Sequence, residues 1–440
     1  MRAALCVLRC ACCAGDAAGA DNRQVMAEAP RLPPLPGTPH SGALPPHERG
    51  TAREVLRAFL KLGLSSFGGP VAHLGYFRAE FVERRRWLGD RDYAELVALC
   101  QFLPGPASSQ VGFAIGLRRA GWRGALAAWA GFTLPSAIAL VLFALGVARW
   151  TQAARSGAVH GLELAAAAVV AQALWGMARA LCPDRLRAAL AVACALLALA
   201  LPGAPGQLGA MALGALVGWR ALRLPAPSAA PPSGDGMGKA TGALLLALFA
   251  LLLVALPAWA AASGSLMAQA LAVFYRAGSL VFGGGHVVLP LLQSGVVPAG
   301  WVSNELFLAG YGAAQAVPGP LFSFAAFLGA VMPAPLGGWT GACVMLVAIY
   351  VPALLLVAGA LPLWASLRGR AAVQRAMGGV QAAVVGVLAC ALYDPVWRGA
   401  VHTRADFGLV LACFGLLMYG RAAPVLVVLG AAAAGWAMAA

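Results

Sequence analysis

The sequence predicts an all-α polytopic membrane protein made of two inverted-topology repeats, each with broken or re-entrant helices followed by spanning helices. Composition is the first of three observations behind that prediction. Of 440 residues, 61% are hydrophobic and 11% charged, and the mean hydropathy is +0.79, far too little charge for a soluble surface. The apolar runs are long and rich in Ala and Leu rather than alternating, which argues against a transmembrane barrel. A formal charge of +15 lies in short arginine clusters between apolar segments, the positive-inside pattern rather than a nucleic-acid surface. Cysteine adds little: Cys6, Cys10, Cys12 and Cys13 crowd the N-terminus without paired metal spacing, and no metal or cofactor is expected.

The second observation is a pair of helix-breaking motifs that occurs twice. QFLPGPASSQ at Gln101–Gln110 returns as QAVPGPLFS at Gln315–Ser323. Each follows a glycine-rich break, SFGGP at Ser66–Pro70 and VFGGG at Val281–Gly285. The breaking residues are thus Phe67, Pro70, Pro104, Gly105 and Pro106 in the first copy, and Phe282, Gly283, Gly285, Pro318, Gly319 and Pro320 in the second. Two prolines around a glycine cannot continue a helix. In hydrocarbon such a break survives only where protein or a wet cavity satisfies the backbone. Paired breaks in two halves point to a transporter's binding site.

Taken in order, residues 1–50 read as a disordered tail, rich in Ala and Cys and then Pro, with Met26 a candidate alternative start. Residues 51–221 form the first repeat. From Thr51 the chain is amphipathic, with Arg57 and Lys61 on one helical face, up to Arg84, Arg85 and Arg86. Each arm of the proline break has about nine residues, roughly 13 Å, enough to reach the bilayer midplane and return. Spanning helices are predicted at 121–148, 157–180, 186–201 and 205–221. Residues 222–262 comprise a Pro/Ser/Gly linker and one connecting helix at 241–260, and 263–440 form the second repeat. Phe59, Lys61, Gly63 and Phe67 match Phe274, Arg276, Gly278 and Phe282, and Trp87, Gln101 and Ser109 match Trp301, Gln315 and Ser323. Further on, Pro135 matches Pro352 and Gly161 matches Gly379, with helices at 338–363, 370–392, 405–418 and 422–438.

The third observation is charge by loop. With re-entrant breaks and a cytoplasmic N-terminus, Arg84–Arg86, Arg91, Arg118, Arg119, Arg123, Arg185, Arg187, Arg220, Arg223, Lys239, Arg368, Arg370, Arg375 and Arg421 fall inside. Arg149, Arg155, Arg398 and Arg404 fall outside. An odd number of spanning helices then separates the copies, so they are inverted, and the C-terminus is periplasmic.

At SFGGPVAHLGYFRAEFVERRRWL, YAELVALCQFLPGPASSQ and GWRGALAAWAGFTLPSA the chain resembles the chromate ion transporter family, in its long two-domain form. The second copy departs from the first in Gly285 for Pro70 and in lacking HLGY and RRRW. The resemblance implies a bacterial inner-membrane exporter of chromate, not an enzyme, that gives chromate resistance and draws on the proton-motive force. A carrier of another oxyanion such as sulfate, or a passive anion channel, stays open on the residues alone. Bilayer and anion are the expected partners, nucleic acid is not, and a homodimer is compatible with the sequence.

A tetrahedral dianion needs hydrogen-bond donors and positive potential, which helix N-termini supply. The candidates are the arm after Pro106, with Ser108 and Ser109, and the amide side chains of Gln101 and Gln110. Gln315 and Ser323 are their poorer counterparts, and Ser66 flanks the first break. Gly68, Gly69, Gly283 and Gly284 allow close backbone approach, or serve helix packing. Lys61 and Arg276 are counter-charges or interfacial side chains. His73 and His286 are proton carriers or structural groups. Glu163 reads as an interfacial residue, and Glu80 and Glu83 as partners of nearby arginines.

Overall fold

A computed structural model describes residues 50–440 except 68, 148–151, 202, 224–237, 283–286, 365–369, 421 and 440. The expectations for the N-terminal tail, for Gly68, Gly283, Gly284, Gly285 and His286, and for most of the linker therefore lie outside the described residues. Among those described the chain is helical, with no strand.

Helix α1 (Ala52–Ser65) starts behind a cap, Thr51, whose hydroxyl accepts the amide of Glu54 at 3.2 Å. It buries Val55, Ala58, Phe59, Leu62 and Gly63 and leaves Arg57 and Lys61 on its exposed face. The chain leaves the helix at Ser66 and resumes as α2 (Gly69–Phe77), which widens into a π-helical turn at Arg78–Arg84. Here Glu80 is buried and accepts from both Arg84 and Arg85, while Glu83 pairs with Arg78. Burial alone would raise the Glu80 pKa; the two guanidiniums outweigh it and hold the carboxyl below the usual range.

Helices α3 (Asp90–Phe102) and α4 (Ala107–Val147) flank the first proline loop. The second of these is really two arms. Ala120 and Gly121 are non-helical, and the arms fold back so closely that a Cβ on Gly116 would lie 2.4 Å from the Gly124 carbonyl. That turn starts the first spanning segment where the sequence places it. Helices α5 (Gln152–Leu181), α6 (Arg185–Ala200), α7 (Ala204–Ala221) and the connecting α8 (Lys239–Ser263) follow. The second set runs α9 (Leu266–Ser279), α10 (Val288–Val296), α11 (Asn304–Ala316), α12 (Phe324–Val331), α13 (Gly338–Ala360), α14 (Ala371–Ala391), α15 (Arg404–Met418) and α16 (Pro424–Ala439). Among the described residues five helices are long and apolar enough to cross a membrane: the span within α4, α5, α8, α13 and α14 with its following turn. The chain is thus a multi-pass membrane protein.

The late helices change sides. α7 packs along α14, and α16 packs along α5. The matched glycines make both contacts: a Cβ on Gly379 would lie 1.9 Å from the Gly214 carbonyl, and one on Gly161 2.1 Å from that of Ala431. Nearby, Gly218 and Gly435 approach the carbonyls of Arg375 and Gly157 in the same way, at 2.5 Å each. Early helices obey the same equivalence, since α1 packs on the second arm of α4 and α9 on α13. There, Gly63 meets the Phe132 carbonyl at 2.9 Å and Gly278 that of Ile349 at 2.0 Å.

Side chains at these crossings have nowhere to go, so Gly379→Val and Gly161→Val should each cost about 1–3 kcal/mol by overpacking. Thermal unfolding of detergent-purified protein should show both variants melting below the parent. Gly408→Ala, which meets nothing within 4 Å, should melt with it.

Candidate functional site

The four breaks come together in two crossed hydrogen bonds. The amide of Gly105 donates to the Val281 carbonyl at 2.6 Å, and the amide of Gly319 donates to that of Ser66 at 3.0 Å. Each proline loop is therefore pinned to the carbonyl just ahead of the other copy's glycine break. Both glycines have left-handed backbones, φ +126° at Gly105 and +109° at Gly319. Both also lie against the long helix that follows the opposite loop. A Cβ on Gly105 would be 2.8 Å from the Ala353 Cβ, and one on Gly319 would be 2.9 Å from the Ser136 Oγ. Ser136 and Ala353 are equivalent, each next to the matched proline of its helix.

Donors gather on the first copy's side of this junction. Past Pro106 the first helical bond runs from the Gln110 amide to the Pro106 carbonyl, 3.0 Å, which leaves the preceding amides at the open end. Ser108, Ser109 and Gln110 are all buried. Gln110 is a brace more than an open donor, since its Nε2 reaches the carbonyls of Pro104 at 2.9 Å and Ala353 at 3.2 Å. The hydroxyls of Ser109, Thr133 and Tyr350 face one another, yet none closes a hydrogen bond of normal geometry. The Ser66 hydroxyl is also buried without a partner. His73, 1% exposed, sets Nδ1 3.4 Å from the Ser108 Oγ and lies edge-on to Phe132. Buried polar atoms are nearly always paired, so this group of unpaired atoms makes the junction a candidate site for a polar occupant.

The second copy offers less. Ser323 spends its hydroxyl on the Pro320 carbonyl at 2.7 Å, and Gln315 is half-buried beside the Tyr311 hydroxyl. Three candidates stand apart from the junction: Lys61 on the exposed face of α1, Gln101 exposed on α3, and Arg276 half-buried in the last turn of α9. Gly69, with φ +77°, opens α2, and a Cβ there would meet nothing within 4 Å.

Sequence reasoning missed Thr133, Ser136 and Tyr350. A usable signal existed, because FTLPSA and IYVPA set polar side chains around matched prolines in otherwise apolar helices. Glu163, read from the sequence as an interfacial residue, is 4% exposed, because α5 turns that face toward α11 and α15. Away from the junction, a cavity of about 340 Å³ is lined by Gln207, Gln293, Ser294, Asn304 and Asp394. A carboxylate at its wall makes it a poor host for a dianion. Among the described residues no group of His, Cys, Asp or Glu is placed to hold a metal ion.

The family model "Chromate transporter" matches this chain twice, over residues 53–219 and 268–436. The chain belongs to the chromate transporter family. It is 30% identical to the chromate transport protein of Pseudomonas aeruginosa, over 87% of this chain and 91% of that protein. It is 28% identical to the chromate transport protein of Cupriavidus metallidurans, over 92% and 97% of the two chains. A probable chromate transport protein of Synechococcus elongatus is 29% identical, over 82% and 88%. No solved structure matches the chain significantly. Membership makes the protein a membrane transporter rather than an enzyme.

If the crossed bonds hold the site, Gly105→Ala and Gly319→Ala should each lose transport while still reaching the membrane. A left-handed alanine costs about 1–2 kcal/mol before any clash. Vesicle chromate uptake should fall at least tenfold at unchanged immunoblot abundance in the membrane fraction.

Proposed function

We propose that this protein is a bacterial inner-membrane chromate exporter, driven by the proton-motive force, that binds the anion where its two proline loops cross. The crossed pair of amide–carbonyl bonds carries the reading. It fixes the open helix end at Ala107–Ser109 beside the Ser109, Thr133 and Tyr350 hydroxyls, a cradle of neutral donors deep in the chain. Relatives named for chromate transport, matched over most of their length, supply the substrate. The exchange of late helices supports two inverted repeats, 51–221 and 263–440, working as one unit around a central axis. In this orientation the N-terminus is cytoplasmic and the C-terminus periplasmic. Both halves of the junction belong to one chain, so a homodimer would pair two complete transport units.

Uptake into inverted membrane vesicles tests this, with and without a proton gradient and with excess sulfate. Gradient-driven chromate accumulation that resists sulfate is expected. Accumulation abolished by sulfate would make the protein a general oxyanion carrier, and flux that merely equilibrates would make it a channel. Losing one hydrogen bond to a charged ligand costs about 1.5–3 kcal/mol. Ser109→Ala should therefore raise the chromate concentration for half-maximal uptake about tenfold or more, with Ser65→Ala, exposed on α1, unchanged.

A further inference from the structure

A second set of ionisable residues lies outside the junction. His160 and Glu163 are one turn apart on α5, and the imidazole stands between two carboxylates. Its Nε2 is 2.9 Å from the Asp406 Oδ1 and its Nδ1 is 3.7 Å from the Glu163 Oε2. Both carboxyl side chains are almost fully buried, whereas His160 keeps 30% of its side chain exposed. Asp406 is held in place by the amides of His402 and Thr403 at 3.0 and 2.9 Å.

Other charged groups around α5 are few. Glu305, in the first turn of α11, acts on Glu163 as a neighbouring carboxyl, and the His402 ring stacks on His160 at 6.4 Å. The turn after α14 brings Tyr393, Asp394 and Arg398, of which the last two pair at 3.2 Å. α15 adds the exposed Arg404, and α14 adds Arg375 in its second turn. α16 carries no ionisable side chain. On α5 itself Arg179 is in the last turn, and the side chain of Arg155 lies outside the described residues.

The cluster touches the junction through one helix crossing. A Cβ on Gly312 would lie 2.5 Å from the Leu162 carbonyl, so Glu163 is adjacent to the residue on which α11 rests. From Gly312 it is less than one turn to Gln315 and then the second proline loop. A half-exposed imidazole leading to a buried carboxyl is the arrangement of an intramembrane proton relay.

We propose that Glu163, loaded from outer water through His160 and Asp406, carries the proton that is exchanged for the anion. This rests on the proton-driven reading above. Its role is coupling, not anion binding, and the two readouts below separate these. Wild type, Glu163→Gln, Glu163→Asp and His160→Gln would be compared in vesicles for gradient-driven chromate accumulation and for chromate–chromate exchange without a gradient. Glu163→Gln should lose accumulation at least tenfold while exchange stays within about twofold, and Glu163→Asp should restore accumulation. His160→Gln should move the pH midpoint of accumulation by on the order of one unit, as loss of an adjacent ionisable group does. Accumulation by Glu163→Gln at the wild-type level would overturn the proposal, and so would parallel loss of both activities. Should Glu163→Gln fail to fold, an unmoved pH profile in His160→Gln would overturn it equally. Wild type that exchanges but never accumulates would instead sink the proton-driven reading itself.

Discussion

A membrane helix interrupted by proline and glycine leaves backbone amides and carbonyls with no water to satisfy them. In this chain the two interruptions solve that problem for each other. Gly105 donates to Val281 and Gly319 to Ser66, so each proline loop supplies the hydrogen bond that the opposite glycine break lacks. Neither break is stable in that setting without the other, which explains why both copies keep glycine and proline there while drifting elsewhere. The left-handed φ at both loop glycines, and the ångström-scale clearance to Ala353 and Ser136, follow from how closely the loops must cross.

The late helices enforce that crossing from a distance. Because α7 rests on α14 and α16 on α5, neither repeat can rotate without carrying part of the other. At four glycines on these seams an added Cβ would lie 2.5 Å or less from a facing carbonyl, closer than any side chain allows. With the frame shared, the copies were free to specialise. The first keeps Ser108, Ser109 and Gln110 at its helix start; the second places Leu321, Phe322 and Phe324 there, and its Ser323 hydroxyl is spent on the Pro320 carbonyl.

Much of this was legible in the sequence, and the misses have a common cause. Proline and glycine act locally, so the breaks and the helix bounds near 121, 338 and 371 could be read without tertiary knowledge. The match of Gly161 with Gly379 was visible too, but not that each one faces the other repeat's last helix. Lys61 carries its charge in the right stretch, yet its helical phase turns it away from Phe59, Leu62 and Gly63 and hence from the junction. Tyr350 meets Ser109 only because α13 crosses α4, and Asp406 meets His160 across 246 positions of sequence. Pairings of that kind have no periodicity to betray them. The one-turn spacing of His160 and Glu163 was the only local hint.

Separating the two jobs also fits the energetics of moving a dianion. At an effective dielectric near 20, a fixed cation about 4 Å away adds on the order of 4 kcal/mol per unit of anion charge, or about 8 for chromate. An attraction of that size would oppose release. Hydroxyls and helix-end amides contribute about 1.5–3 kcal/mol each, enough to replace part of the hydration shell without trapping the ion. His73 apart, the donors of the cradle are neutral and carry no charge to exchange. The proposed coupling group lies elsewhere, on a helix that packs against the one leading into the second loop. The contact of α5 with α11 at Leu162 and Gly312 would provide that connection under the proposed coupling, since α11 leads into the second proline loop.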